Sequence, residues 1–214
     1  RDSSTSRGLG DVYKRQAEYM TIDTSLLHIV PDDLPDTQAI FTEPLAAAME
    51  ILTQIHISPD KNAAVLGDGR LALLTAQVLA LTGIDLTVIG RHPEKLELFR
   101  PFAKTAICGE KEGYEYVAEC TGSESGLPQA MELVRKKGTI ILKSTYAGKV
   151  SLDMSMAAVN ELTIVGSRCG PFEPALRLLK DKKIHLPEIE LYDLKDFEKA
   201  FASPAFKAGF AFID

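Results

Sequence analysis

The sequence is short of cysteine, of long apolar runs and of positive charge. Its three cysteines, Cys108, Cys120 and Cys169, are odd in number and far apart among 214 residues. This usage argues against a disulfide framework and favours a reducing, cytoplasmic setting. No Cys-x-x-Cys pair occurs, so the usual motif of a structural zinc site is missing as well.

No apolar run approaches the roughly 18 residues that a membrane-spanning helix needs, so we expect no membrane partner. Lys and Arg number 24 against 30 Asp and Glu, a net charge of -6. This balance argues against a nucleic-acid partner, because nucleic acids are held by positively charged surface. With 45% hydrophobic and 25% charged residues, the chain is globular rather than disordered or collagen-like.

The first sixteen residues differ from the rest. Arg1–Gln16 is polar, lacks apolar periodicity and ends in Asp-Val-Tyr-Lys-Arg-Gln, which resembles a translated sequencing-adapter scar. We exclude residues 1–16 from the fold prediction as a non-native or disordered leader, with a natural flexible arm as the alternative. No signal peptide is recognisable. Because the first residue is Arg rather than Met, we expect the true start of the protein to be missing.

The next stretch predicts extended chain and then a helix. Strand-forming residues dominate Ala17–Asp32, and Asp32–Pro35 predicts a loop. Glu43–Leu52 predicts a helix, with Pro44 in the first turn, where its missing N–H costs little. The polar break at Ser58–Asn62 is the best candidate for a domain boundary.

Beyond that break, short apolar segments alternate with helical ones. The predicted strands are Ala63–Leu66, Leu86–Ile89, Ala103–Cys108, Tyr116–Cys120, Thr139–Leu142 and Leu162–Val165. The predicted helices are Leu71–Leu81, Pro93–Phe102, Ser125–Lys136 and Pro174–Lys182. This alternation predicts βαβ units and a doubly wound parallel sheet. The tail changes pattern, to a strand, a helix and a strand over Glu188–Leu194, Lys195–Ala202 and Ala208–Ile213.

The first predicted strand runs into Gly67-Asp-Gly-Arg-Leu-Ala72, a G-x-G-x-x-A pattern between a strand and a helix. Gly67 permits a tight turn, Gly69 lets backbone approach a pyrophosphate, and Ala72 lets the helix pack closely on the sheet. The helix N-terminus offers free N–H groups to phosphates. The pattern therefore predicts a dinucleotide site; a ligand-free tight turn is the alternative.

The end of the second strand indicates which dinucleotide is bound. An NAD site usually has an acidic residue there to accept from the ribose 2′-OH. The sequence instead reads Gly90-Arg-His-Pro-Glu-Lys95. Arg91 and Lys95 suit a 2′-phosphate, so we favour NADP. In the alternative, Arg91 is a solvated charge and Glu94 or the backbone serves NAD.

Several motifs together are specific to one family: Glu43-Pro-Leu-Ala46, the glycine motif some 20 residues later, Glu119-Cys-Thr-Gly122, Lys137-Gly-Thr-Ile140 and Val165-Gly-Ser-Arg168. They resemble the medium-chain zinc-dependent alcohol dehydrogenase superfamily, most closely its threonine, sorbitol and glucose dehydrogenase branches. The resemblance covers about Ala17 to Asp214.

The resemblance implies an α/β fold in which a Rossmann domain lies between the two parts of a GroES-like β catalytic domain. Residues 17–57 would be the remnant of the GroES-like domain and its linking helix. Residues 58–183 would form the Rossmann dinucleotide-binding domain, and residues 184–214 would return to the catalytic domain.

The resemblance also implies contacts to the cofactor beyond Gly67, Gly69 and Ala72. Leu71 would contact the pyrophosphate, and Gly90, Arg91 and Lys95 would surround the adenosine ribose. The nicotinamide side would be bordered by the residues after the fourth predicted strand and the next two, which are Thr121, Gly122, Lys143, Ser144, Thr145, Ser167 and Arg168. Loop capping remains the alternative for Thr121, Ser144 and Ser167, and a solvated charge for the Lys143 side chain.

By the same resemblance, Glu43 lies at the catalytic zinc, as a ligand or an exchangeable group beside it. A carboxylate that complements the helix dipole is the alternative. The family's other zinc ligands, a Cys and a His-Glu pair, belong to an N-terminal half that we do not find. The catalytic residues therefore stay unassigned, and we expect this chain by itself to be inactive.

For the intact protein, the resemblance implies zinc-dependent hydride transfer between an alcohol or polyol and NADP or NAD, in a homodimer or tetramer. Two alternatives stay open. One is a zinc-free quinone or enoyl reductase of the same superfamily, and the other is a non-catalytic, nucleotide-sensing Rossmann module.

Overall fold

The computed structural model describes residues 21–211, in which one sheet has six strands and another has two. The strands of the larger sheet are β1 (Asn62–Leu66), β2 (Asp85–Ile89), β3 (Lys104–Ala106), β4 (Tyr114–Glu119), β5 (Val134–Leu142) and β6 (Thr163–Gly166). Their spatial order is β3-β2-β1-β4-β5-β6, and all neighbours are parallel. This is the strand order of a Rossmann sheet, so the predicted doubly wound α/β fold is confirmed.

Eight α-helices lie in the described part of the chain. They are α1 (Asp36–Ala39), α2 (Thr42–Gln54), α3 (Arg70–Ala80), α4 (Pro93–Leu96), α5 (Gly126–Leu133), α6 (Met154–Val159), α7 (Phe172–Lys180) and α8 (Phe197–Ala202). The smaller sheet pairs β7 (Glu190–Asp193) with β8 (Ala208–Ala211) in parallel.

Both faces of the six-stranded sheet are covered, which is why its central strands are apolar throughout. Along β1, Ala63 and Val65 join one core, together with residues of α3. Ala64 and Leu66 join a second core, together with residues of α5. Successive strand residues point to opposite faces, so a strand buried on both sides needs an unbroken apolar run.

Helix α2 packs against α3 and α7. Side chains of these three helices form a third apolar cluster. Leu45 of α2 and Leu74 of α3 are both buried there. A Cβ at Gly170 would overlap with the carbonyl oxygen of Ala46, so the loop after β6 lies directly against α2. Gln54, at the end of α2, donates to the carbonyl oxygen of Gly166 at 3.2 Å. The first long helix is therefore attached to the far end of the sheet.

No strand forms in the described part of Ala17–Asp32, the segment predicted to be extended, although Asp23 and Leu27 have extended backbone. Residues 21–32 contain a single 3-10 turn at Thr24–Leu26 and otherwise irregular chain. Ile29 is 90% exposed and Leu27 56%. Strand-forming side chains make a strand only where a neighbour completes the hydrogen-bond ladder, and no described strand lies alongside. Ala17–Met20 and the predicted leader Arg1–Gln16 lie outside the described residues.

Two predicted helices end earlier than expected. The second runs only over Pro93–Leu96, rather than to Phe102; Pro101 disfavours helical backbone at the residue before it. The third ends at Leu133, not Lys136, because Val134 already pairs with Tyr114 as the start of β5. The ladder then shifts register, and Lys137 takes a positive φ of 61°.

Helices α1 and α6 were not predicted. Helix α6 connects β5 to β6, and the Asp153 carboxylate accepts from the backbone N–H of Ser155 at its start. An acidic residue before a short apolar stretch is a recognised N-cap signal, and it could have identified this helix.

The tail agrees with its predicted order of strand, helix and strand, although Leu194–Asp196 forms a 3-10 turn before α8. The last predicted strand extends to Ile213, and its final two residues lie outside the described part. The division into domains at residues 57/58 and 183/184 stays a prediction. Among residues 21–211, no helix combines the length and the apolar character needed to cross a bilayer.

Candidate functional site

The glycine turn between β1 and α3 lies where the strand order reverses, between β2 and β4. Gly67 has a φ of +125°, and its N–H donates to the carbonyl oxygen of Ile89 at 2.8 Å. A Cβ there would lie 2.9 Å from the carbonyl oxygen of Cys120. Gly69 is the N-cap of α3, and no atom lies within 4 Å of where its Cβ would be. Gly67 thus closes the turn, while Gly69 leaves open space before the helix.

Two cavities flank this turn and collect most of the predicted cofactor residues. A cavity of about 300 Å³, which we call the β2 cavity, is lined by the predicted residues Gly67, Gly69, Gly90, Arg91 and Thr121. A cleft of about 690 Å³, which we call the α2 cleft, is lined by the predicted residues Glu43, Gly69, Leu71, Lys143, Thr145, Ser167 and Arg168. The structure therefore places Glu43 in the same cleft as the start of α3.

Four predicted residues lie elsewhere. Lys95 lines a third hollow, of about 660 Å³, with Asp68 and Arg70. Ala72 is fully buried in the core beneath the turn. Gly122 donates its N–H to the Ser144 hydroxyl at 2.8 Å, so these two residues join the loops after β4 and β5.

Glu43 is an exposed carboxylate in the first turn of α2. Within residues 21–211, no group of three or more His, Cys, Asp or Glu side chains is arranged to hold a metal ion. The described residues therefore do not fit a complete zinc site, and we assign no reaction step to zinc. Glu43 remains a lone candidate ligand.

Lys143 is only 8% exposed although it lies at the edge of the α2 cleft. Its Nζ donates to the Ala47 carbonyl oxygen of α2 at 2.5 Å and to Ser167 Oγ at 3.0 Å. Burial lowers the pKa of the Lys143 amine, and the carboxylates of Glu50 and Glu43 only partly oppose this. A side chain expected to lie near nicotinamide thus also links α2 to the ends of β5 and β6.

Asp68, between the two glycines, was missed by the sequence analysis. Its Oδ2 accepts from the backbone N–H groups of Arg91 at 2.7 Å and His92 at 2.9 Å, and it lies 2.9 Å from His92 Nδ1. The absence of an acid after β2 in the sequence had favoured NADP. The glycine turn instead supplies a carboxylate to the same point in space.

Arg70 and Lys207 were also missed, and both line the α2 cleft beside Gly69. Burial lowers the pKa of Lys207, and the nearby charge of Arg70 lowers it further against the opposing effect of Glu43. Lys207 Nζ lies 5.5 Å from the centre of the Phe41 ring. Arg70 lies within the glycine motif and could have been considered. Lys207 is 137 positions away in the sequence, so no local pattern could predict that the two residues line the same cleft.

Glu119, at the end of β4, is fully buried. Its carboxylate accepts from the Thr121 backbone N–H at 2.7 Å, the Thr121 hydroxyl at 2.5 Å and the Tyr146 hydroxyl at 2.6 Å. Burial and this bond to Glu119 raise the pKa of Tyr146. The carboxylate therefore fixes both loops that border the turn. It lies in the Glu119-Cys-Thr-Gly122 motif, where the sequence analysis singled out only the residues after the strand.

Comparison with known proteins identifies the family of this chain. The sequence model of the zinc-binding dehydrogenase family matches residues 71–181, more than half of the chain. The chain therefore belongs to the zinc-binding dehydrogenases of the medium-chain alcohol dehydrogenase superfamily, and the resemblance stated from the motifs is confirmed.

Curated relatives are longer than this chain. Ribulose-5-phosphate reductase of Streptococcus pneumoniae is 34% identical over an alignment of 206 positions that covers 84% of this chain and 59% of that protein. Sorbitol dehydrogenase of Halalkalibacterium halodurans is 27% identical over an alignment of 221 positions that covers 92% of this chain and 64% of that protein. The chain thus spans less than two thirds of either relative.

Among solved structures, S. aureus TarJ in complex with NADPH is 23% identical and superimposes with a TM-score of 0.75. The match covers 86% of this chain and 67% of that one. At this identity, the likeness shows a shared fold.

The two glycines of the turn should respond differently to alanine. We expect Gly67→Ala to lower the free energy of unfolding by about 2 kcal/mol or more, because it combines an unfavourable φ with a backbone clash. Gly69→Ala, which meets open space, should change it by less than about 1 kcal/mol. Chemical denaturation measures both. Equal losses in the two variants would contradict the assigned geometry.

Removing the Lys143 amine should change how stability depends on pH. Because the pKa of Lys143 is lower in the folded protein than its ordinary 10.5, the unfolded chain binds more protons between the two values. Wild-type stability therefore rises with pH in that window relative to Lys143→Met, which cannot titrate. Urea denaturation at pH 7, 8.5 and 9.5 tests this, with the exposed Lys111→Met as charge control. A constant difference between wild type and Lys143→Met would contradict it.

Proposed function

We propose that this protein transfers hydride between an alcohol or polyol and a nicotinamide dinucleotide, with NADP favoured over NAD. The observation that carries the proposal is the open glycine turn at the start of α3, set between the β2 cavity and the α2 cleft. Its position and the surrounding cations suit a dinucleotide whose two halves occupy the two spaces.

The pyrophosphate would lie against Gly69 and the first N–H groups of α3. A helix N-terminus carries partial positive charge and unpaired donors, both of which favour phosphate. Arg70 and Lys207 lie beside it, and their mutual repulsion would be relieved by an anion. The residues present therefore fit the group.

The adenosine half would occupy the β2 cavity, where the Arg91 side chain is exposed. A guanidinium binds phosphate oxygens with charge-assisted hydrogen bonds, which supports NADP. Lys95 lines the adjoining hollow. Its side chain would have to extend into the β2 cavity to contact a 2′-phosphate, whereas Arg91 already lines that cavity.

The nicotinamide half would occupy the α2 cleft, bordered by Thr145, Ser167 and Arg168. The dinucleotide, when bound, supplies the ring carbon that accepts hydride. In alcohol oxidation the carbinol C–H electron pair leaves as hydride, and the hydroxyl proton passes to a base or to solvent. The residues of the cleft would orient the substrate and exclude water. A zinc-assisted reaction would need ligands besides Glu43.

The substrate class is proposed by analogy with the relatives. Their names describe a reductase for ribulose 5-phosphate and a dehydrogenase for sorbitol. A sugar alcohol and its keto sugar form a pair that one hydride transfer interconverts. We place this reaction in the cytoplasm, in keeping with the cysteine usage.

We propose further that the protein forms a homodimer or tetramer through the edge at β6. This strand is the last in the sheet; Ile164 within it is 36% exposed, and Val159, at the end of α6, is 80% exposed. Ile164→Lys should then give a smaller particle in sedimentation velocity, because an edge lysine opposes strand pairing. Leu98→Lys, which also alters an exposed apolar side chain, is the control. An unchanged sedimentation coefficient for Ile164→Lys would count against this interface.

Titration of the purified protein with NADP and NAD tests the cofactor assignment. We expect tighter binding of NADP, and a loss of about tenfold or more in NADP affinity on Arg91→Ala, with NAD affinity within about twofold; a hydrogen bond to a charged group is worth about 1.5–3 kcal/mol. Arg100→Ala, exposed and paired with Glu97, is the matched control.

Calorimetry suits this measurement because the chain has no Trp. Tighter NAD binding that is unaffected by Arg91→Ala would refute the NADP assignment. Failure of both dinucleotides to bind would refute the proposed function.

A further inference from the structure

Asp68 brings a negative charge into the β2 cavity, where the adenosine ribose is proposed to bind. The carboxylate side chain is 12% exposed and lies against Gly90, at which a Cβ would be 2.7 Å from Asp68 Cβ. The close approach of these two residues fixes the carboxylate at the carboxyl end of β2. In Rossmann folds this is the position from which an acid normally contacts ribose.

The two oxygens of Asp68 have different surroundings. Oδ2 takes the hydrogen bonds from Arg91 and His92 described above. Oδ1 has no hydrogen-bond partner among residues 21–211. Oδ2 therefore holds the loop after β2 in place, and Oδ1 is available to a ligand hydroxyl.

The carboxylate is charged at neutral pH. Burial by itself would raise the pKa of Asp68, but the hydrogen bonds from His92 and Arg91 outweigh it and lower the pKa below its ordinary value. The cationic or titratable side chains that line the same two spaces as Asp68 are Arg91 and His92 in the β2 cavity and Arg70 and Lys95 in the adjoining hollow; of these, the His92 imidazole contacts the carboxylate.

We propose that Asp68 is a specificity-determining residue whose Oδ1 accepts a hydroxyl of the adenosine ribose and whose charge opposes a 2′-phosphate. This inference rests on the proposed function, because it concerns the same dinucleotide. Arg91 attracts the 2′-phosphate and Asp68 repels it, so the ratio of NADP to NAD affinity is set by two opposed charges at one end of the cavity.

Replacing Asp68 with Asn isolates the charge. An Asn side chain still offers an oxygen to the N–H groups of Arg91 and His92, so the loop keeps its main bonds while the negative charge is removed. At pH 8.5, where an ordinary imidazole is neutral, calorimetric titration with NADP and NAD gives the ratio of affinities. We expect Asp68→Asn to shift this ratio toward NADP by about tenfold. An unchanged ratio, or a shift toward NAD, overturns the proposal.

A matched control removes a charge from the other end of the same strand. Asp85 begins β2 and pairs with Lys104, and four residues of extended chain place it about 13 Å from the strand's end, beyond the screening length at 0.15 M salt. Asp85→Asn should leave the ratio within about twofold of wild type. A shift equal to that of Asp68→Asn would mean that net charge, not position, controls selectivity, and would also overturn the proposal.

Asp68→Ser provides a second variant, smaller and uncharged, for which the same shift toward NADP is expected; circular dichroism verifies the fold of each variant. The titrations distinguish a failure of the proposed function from a failure of the role proposed for Asp68. If wild type binds neither dinucleotide, the proposed function fails and this inference with it. If wild type binds both and neither Asp68 variant moves the ratio, only the role of Asp68 is refuted.

Discussion

The close approach of Gly67 to the carbonyl group of Cys120 is the constraint on which the site depends. It needs a residue without a Cβ and with a positive φ, and it brings the end of β1 against the end of β4, where the sheet reverses its strand order. From this contact follow the direction of α3, the open space before Gly69 and the two cavities on either side. The same turn presents Asp68 to the end of β2. A single backbone contact thus sets the geometry of a phosphate-binding helix end and of both spaces beside it.

The larger part of the fold could be predicted from the sequence because the relevant signals are local. Apolar runs such as those of β1 and β2 are bounded by polar breaks, and the glycine motif identifies the strand-to-helix turn. The errors arise where pairing with a distant strand determines the secondary structure. Residues 21–32 have strand-forming side chains, but no described strand lies beside them. Val134 lies in a segment with a helical pattern, yet it belongs to β5 because it pairs with Tyr114. Helix α6 is too short to show a clear apolar periodicity, so its N-cap residue is the main sequence signal for it.

The candidate site could be predicted in outline but not in its charges. Glycine spacing located the turn, and the family motifs located the loops after β4, β5 and β6. The positions of Asp68, Lys207 and Glu119 follow from tertiary packing. Asp68 stands inside a motif whose glycines alone were interpreted, although its carboxylate reaches a loop more than 20 positions away. Lys207 comes from the far end of the chain. The sequence therefore shows which elements form the site, whereas the balance of charge within it appears only when distant residues are brought together.

Helix α2 is the first long helix of the described chain, yet residues made much later hold it. Lys143 reaches Ala47 across 96 positions, and Gln54 reaches Gly166 across 112. A ribosome that has just released α2 has not yet produced the loop on which this helix rests. Helix α3 follows soon after and can cover part of the apolar face of α2, but the part that packs on α7 stays uncovered until the distal half of the sheet has been made, and loop-closure entropy makes such distant contacts slow to form. The order of synthesis therefore leaves the α7-facing side of this helix without its partner until most of the domain has been made.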